Sequence, residues 1–292
     1  MGIFNNLSAV TIFLLSSAIT TLGNKFLVKN LNFHRHQLLI ILQNIIIVSI
    51  LVCYNFLVKN IINFKRFKKW CIITVFFSVM IVSNMKALSC FDVSIYTLYK
   101  NISIVFVAIT EYAFFDRKLS PIGYLSFILI VGSSWTGKPL KKSELVGYLW
   151  MIINIFSTTA FVLLLKHIID NESSRLECVF FTNCLSIPFL LILSYFIDDY
   201  NKPLNLTPFV YFLILFTSLT ALITAFSTAW VLKLLTSTMF SIAGAINKVI
   251  VTAAGIVIFK EDLEFIKLIS CCVATLSALL YYYDAVKYKR QS

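Results

Sequence analysis

Apolar runs of about twenty residues, following one another with short polar breaks, decide what this chain can fold into. A bilayer core is about 30 Å thick and takes roughly 20 helical residues to cross. Lipid offers no partner to an open backbone N–H or C=O, so a run of that kind spans as a helix. Ten runs stand out, at about 7–28, 36–57, 70–90, 93–115, 119–136, 145–167, 176–197, 208–231, 238–259 and 264–285. The expectation is an all-α membrane protein of ten transmembrane helices.

Composition supports this. Of 292 residues 59% are hydrophobic and 13% charged, whereas about a quarter are charged in an ordinary soluble domain. No stretch between runs is long enough for a soluble domain, so residues 1–292 read as a single integral membrane domain. The net charge of +12 does not indicate a nucleic-acid binder, because the basic residues gather in short loops, where the positive-inside bias places them. The seven cysteines fall in or at the ends of apolar runs and read as small hydrophobes. Neither a disulfide, nor a metal site, nor a cofactor is expected. The first run lacks a basic leader and reads as the first span.

Lysine and arginine set the orientation. Thirteen basic residues fall on one side of the spans and eight on the other. The larger set includes the cluster Asn63 to Trp70, NFKRFKKW. That side is therefore expected to be cytosolic, and both termini with it.

The run Thr238 to Phe259 carries Lys248 near its middle. An ammonium at the centre of a membrane helix costs roughly 2.5–3.5 kcal/mol on insertion scales, so it should face a partner or a wet cavity. Ser241, Gly244, Ala245, Lys248, Thr252 and Gly255 fall on one stripe at helical spacing. We read that stripe as one wall of a cavity for an anion.

Ten spans suggest two inverted repeats of five, with halves at about 1–137 and 144–287. The fourth and ninth spans then correspond and run in opposite directions. Each holds a Lys/Asn pair, Lys100-Asn101 and Asn247-Lys248. Counted along the helices, Lys100 lies roughly 9 Å from one end of its span and Lys248 roughly 15 Å from the other. The two ammonium groups are then within one to two turns in height, and an anion such as a diphosphate would relieve their repulsion. Tyr96, Tyr99 and Ser103 share the Lys100 face and supply hydroxyls and flat rings.

Other polar positions are less specific. Thr182, Asn183 and Ser186 neighbour one another in the seventh span. An Asn183 amide can read a base edge or make an interhelical hydrogen bond. Spans one and eight carry hydroxyl stripes that read mainly as packing surfaces, with Asn24 and Thr228 kept as candidate ligand contacts. Lys25 and Lys86 either snorkel to the interface or face the site. Glu111, the one acid inside an apolar run, pairs with Arg117 or Lys118, or carries a proton; pairing is preferred.

These motifs together carry a resemblance. IYTLYKN (Ile95 to Asn101), FFTN (Phe180 to Asn183), GAINK (Gly244 to Lys248) and NKF (Asn24 to Phe26) resemble motifs of the nucleotide-sugar transporters of the drug/metabolite transporter superfamily. The likeness covers most of the chain and is nearest to the fungal and protist Golgi GDP-mannose transporters. It implies a central site open to one side at a time, a Golgi or ER membrane, and exchange of cytosolic GDP-mannose for luminal GMP. It also implies that Gly244, Ala245, Asn247 and Lys248 hold phosphate and sugar, that Asn183 contacts the base, and that Tyr96 and Lys100 line the opposite wall. Three positions depart from the family pattern by losing a polar group: Thr182 replaces the first Asn of FYNN, Phe240 a tyrosine, and Ala225 a serine. The sugar-phosphate half is thus better supported than guanine, and another GDP-sugar or a UDP-sugar stays open.

The partners implied are a nucleotide sugar, a nucleoside monophosphate, the bilayer and, at most, a second copy in a homodimer. A membrane glycosyltransferase needs acids for a metal or a base, and the adjacent pair Asp198-Asp199 lies in a loop with no His near it. A channel or scaffold with structural lysines is the remaining alternative.

Overall fold

The computed structural model describes residues 2–31, 33, 35–58, 67–91, 93–115, 121–134, 145–170, 174–198, 200, 206–259 and five positions between 273 and 283. Among the described residues all regular structure is helical. The helices are α1 (Gly2–Lys29), α2 (His36–Val58), α3 (Phe67–Cys90), α4 (Val93–Phe115), α5 (Pro121–Ser134), α6 (Leu145–Asp170), α7 (Arg175–Ile197), α8 (Pro208–Leu234) and α9 (Ser237–Phe259).

Seven of these have, over their described residues, the length and apolarity to cross a membrane: α1, α2, α3, α6, α7, α8 and α9. α5 is apolar but has 14 residues, about 21 Å at 1.5 Å each, against a core of about 30 Å. The expected tenth span, 264–285, falls almost wholly outside the described residues. Membrane character also shows in what faces outward. Phe196 is 77% exposed, Phe212 62% and Ile192 61%, while Gln43, Asn44, Asn154 and Asn183 are buried. Large apolar side chains outside and amides inside suit lipid as the solvent.

The chain forms two compact units, interleaved in sequence. One comprises Met1–Val82 and Leu164–Leu234, the other Ser83–Leu163 and Leu235–Ser292. Each draws helices from both halves of the chain.

In the first unit α1 packs on α8, and α2 on α7 and α8. Gly23 permits the first of these contacts, since a Cβ there would lie 2.6 Å from Thr217 Cγ2. Leu27, Phe33, Leu39, Val210 and Ile214 form one apolar cluster, and Ile41, Val82 and Leu190 another. α7 opens on Ser174 as N-cap, whose hydroxyl accepts the Glu177 N–H at 3.0 Å. At its far end the Asp198 carboxylate accepts the N–H groups of Gln37 and Leu38 at 3.2 and 3.0 Å, capping α2.

In the second unit α4 packs on α5 and α9. Ile104, Val105, Ala108, Phe127, Ile130, Ile242 and Ala245 fill that junction. Ala87, Phe91, Tyr96, Met151 and Ile155 make a second cluster.

Candidate functional site: two lysines at one depth in the second unit

The second unit sets α4 and α9 in register through an acid. The Glu111 carboxylate accepts the Ser237 N–H at 2.8 Å, the Thr238 N–H at 3.3 Å and the Thr238 hydroxyl at 2.5 Å. Glu111 lies near the end of α4, and Ser237 begins α9. The two helices therefore run antiparallel. The carboxylate supplies acceptors for orphan N–H groups and a negative charge at the positive end of the helix dipole. Ion pairing with Arg117 or Lys118, the preferred reading from sequence, falls on residues outside those described; the contact that is described caps a helix.

This anchor fixes the depth of both lysines. Lys100 precedes Glu111 by eleven residues, and Lys248 follows Ser237 by eleven. At 1.5 Å per residue each lies about 16 Å from the anchor, in the same direction.

Lys100 is buried. Its ammonium donates to Asn154 Oδ1 and to Thr158 Oγ1, the latter at 2.8 Å, both on α6. The Asn154 amide in turn donates to Ser83 Oγ on α3 at 3.0 Å. Lys248 is partly buried and makes no hydrogen bond or ion pair among the described residues. Neither ammonium meets a carboxylate among the described residues.

Around them, Tyr96 is buried and donates its hydroxyl to Asn84 Oδ1. Tyr99 is half-buried, its ring 6.0 Å from Phe91 and 5.5 Å from Tyr148 between centroids. Asn101 is buried, and its Oδ1 meets no donor among the described residues. On α9, Asn247 is buried. Gly244 borders open space, since a Cβ there would meet nothing within 4 Å. Ala245 sits in the α4–α5–α9 apolar junction, so its methyl group packs the core. Of the polar stripe on α9, the Thr252 side chain lies outside the described residues.

Asn24, Thr182, Asn183 and Thr228 belong to the first unit. Asn24 accepts from Gln43 Nε2 at 2.7 Å, and the same amide donates to Thr217 Oγ1 at 2.9 Å. Thr20, Thr220 and Thr224 hydroxyls meet one turn further along α1 and α8. Asn44 donates to Ser186 at 2.9 Å. Thr182 gives its hydroxyl to the Cys178 carbonyl at 2.6 Å, and Asn183 donates from its amide to the Val179 carbonyl at 2.7 Å. Both are buried. Thr228 is half-buried.

Sequence reasoning passed over Asn84, Asn154, Thr158 and Gln43. A signal existed: each is a polar residue inside an apolar run. What they bind follows from which helices pack together, which periodicity does not state.

The chemistry of this group of residues suits an anion. Two ammonium groups at one depth, with tyrosine and asparagine beside them and no fixed counter-charge among the described residues, provide charge and hydrogen-bond donors for a phosphate-bearing ligand.

A family model for the EamA-like transporter family matches residues 145–283. The chain is 30% identical to a GDP-mannose transporter of Kluyveromyces lactis, covering 94% of this chain and 89% of that one. It is 28% identical to a GDP-mannose transporter of Komagataella pastoris, with the same coverage of 94% and 89%. It is 30% identical to a probable GDP-mannose transporter 2 of Saccharomyces cerevisiae, over 91% of this chain and 87% of the relative. A protein of known crystal structure aligns over 98% of this chain and 97% of its own with a TM-score of 0.71 at 10% identity, which speaks for the fold alone. The chain belongs to the GDP-mannose transporter type of nucleotide-sugar transporters, in the drug/metabolite transporter superfamily, a family of transporters and not of enzymes.

Proposed function

We propose that this protein carries GDP-mannose into the Golgi or ER lumen in exchange for GMP, by alternating access. Ten helices in two inverted repeats, with both termini cytosolic, make up the transporter. Lys248 and Lys100 bind the phosphates; Gly244 and Asn247 bind phosphate and sugar beside them, with Ala245 offering its backbone. Tyr96, Tyr99 and Asn101 complete that wall. Asn183 reads the base, with Asn24, Thr182 and Thr228 as further contacts. The observation that carries the reading is the equal depth of Lys100 and Lys248 on antiparallel α4 and α9. Two ammonium groups that meet no carboxylate among the described residues are costly in a membrane protein and are explained by an anion that comes and goes. The names of the fungal relatives supply the substrate.

Exchange follows from the same charges. An empty site with two ammonium groups resists closing, and either GDP-mannose or GMP lifts that resistance. The test is counterflow in proteoliposomes. Vesicles preloaded with GMP take up labelled GDP-mannose saturably, and unloaded vesicles do not. Equal uptake by both would refute exchange, and no uptake by either would refute the substrate. The base is the less constrained half, because Thr182 and Asn183 direct hydroxyl and amide hydrogens to their own helix. Competition by GMP, UMP and CMP decides it: preference for UMP would replace GDP-mannose with a UDP-sugar.

A further inference from the structure

Lys100 is held by two neutral acceptors where an acid would bind it far more strongly. The Lys100 ammonium donates to Asn154 Oδ1 and Thr158 Oγ1. Asn154 is 0% exposed, and its amide nitrogen donates to Ser83 Oγ at 3.0 Å. That bond orients the side chain, because the end that gives hydrogens faces Ser83 and the carbonyl end faces Lys100. The chain Ser83–Asn154–Lys100–Thr158 joins α3, α6 and α4 inside the second unit. An ammonium carries three N–H groups, and two are accounted for here.

We infer that Asn154 is a positioning residue of the anion site, acting through Lys100. It aims the ammonium by hydrogen bonding while leaving its positive charge available. The inference rests on the proposed binding of a phosphate-bearing substrate near Lys100 and Lys248. A carboxylate at this position would hold the lysine more firmly and cancel the charge the substrate needs. An amide orients and does not neutralise. Thr158 assists from one turn along the same helix.

The test compares Asn154→Asp with Asn154→Ala in the full-length protein, reconstituted with GMP inside and GDP-mannose outside. Asn154→Asp is close in shape and keeps an acceptor for Lys100. It should raise KM for GDP-mannose about tenfold or more, the scale of a like charge set against the phosphates, with the thermal midpoint of the empty protein held or raised. Asn154→Ala leaves Lys100 charged and bound by Thr158 alone, and should raise KM by about threefold with a lower midpoint. The order is the signature. A residue that served only to pack α3, α4 and α6 would give the reverse order, with alanine the more harmful to transport; that order, or a wild-type KM for Asn154→Asp, overturns the inference. If Asn154→Asp does not insert, Thr158→Asp puts the same charge against the same ammonium from the neighbouring turn, and a wild-type KM there overturns it equally. Failure of the wild-type protein to exchange GDP-mannose for GMP would instead sink the proposed function.

Discussion

Glu111 of α4 and Ser237 at the start of α9 are joined by a hydrogen bond of 2.8 Å from backbone N–H to carboxylate. One acid thereby caps a helix and sets the depth at which two lysines sit. The first unit uses the same device, with Asp198 at the end of α7 capping α2. Lipid cannot satisfy the open N–H groups at a helix start, so a carboxylate from the packing neighbour does so and fixes register as well.

Removing that carboxylate should loosen the register. Glu111→Ala leaves the Ser237 and Thr238 N–H groups without their acceptor, and should lower stability by about 1–3 kcal/mol. Glu111→Gln retains an acceptor and should lose less. Thermal midpoints in detergent check the stability order. Initial exchange rates should fall in the same order, because α9 carries Lys248.

Lys248→Ala is expected to abolish GDP-mannose exchange without harming the fold. The side chain has no hydrogen-bond or ionic partner among the described residues, so its removal leaves no orphaned neighbour there and relieves the desolvation of a charge. The expected pair of readings is a thermal midpoint equal to or above wild type and counterflow at background. Full uptake by this variant would count against an anion site at α9.

Two glycines should respond oppositely to alanine. At Gly23 a methyl group would lie 2.6 Å from Thr217 Cγ2, and Gly23→Ala should destabilise by about 1–3 kcal/mol. Adding Thr217→Ser removes the opposing methyl group and keeps the hydroxyl that Gln43 uses, so the double variant should recover most of the loss. Gly244 faces open space. There alanine should leave the midpoint unchanged or raise it, as alanine favours helix by about 1 kcal/mol over glycine, while exchange falls because a methyl group enters the proposed ligand space.

Gln43 ties three helices together, donating to Asn24 and Thr217. Gln43→Leu should lower stability by about 1–3 kcal/mol through the acceptors it strands. If Asn24 serves mainly this bridge, Asn24→Ala should shift the midpoint with little change in KM for GDP-mannose. A raised KM at an unchanged midpoint would assign Asn24 to the ligand.

The amino-acid sequence by itself determined that the chain is a helical membrane protein, because run length and the absence of partners in lipid leave no other backbone solution. It also singled out Lys100 and Lys248, since a charge within an apolar run is conspicuous in one dimension. It could not say what those charges meet. Glu111 read as the partner of Arg117 or Lys118, which lie outside the described residues, and nothing in one dimension pointed to its capping a helix more than a hundred residues away in sequence. Asn154, Thr158 and Gln43 passed as ordinary polar residues until packing brought α6 to Lys100 and α2 to Asn24. Periodicity tells which face a side chain is on. Only tertiary packing chooses the opposite face, and hydrogen bonds, being short and directional, exist only once that choice is made.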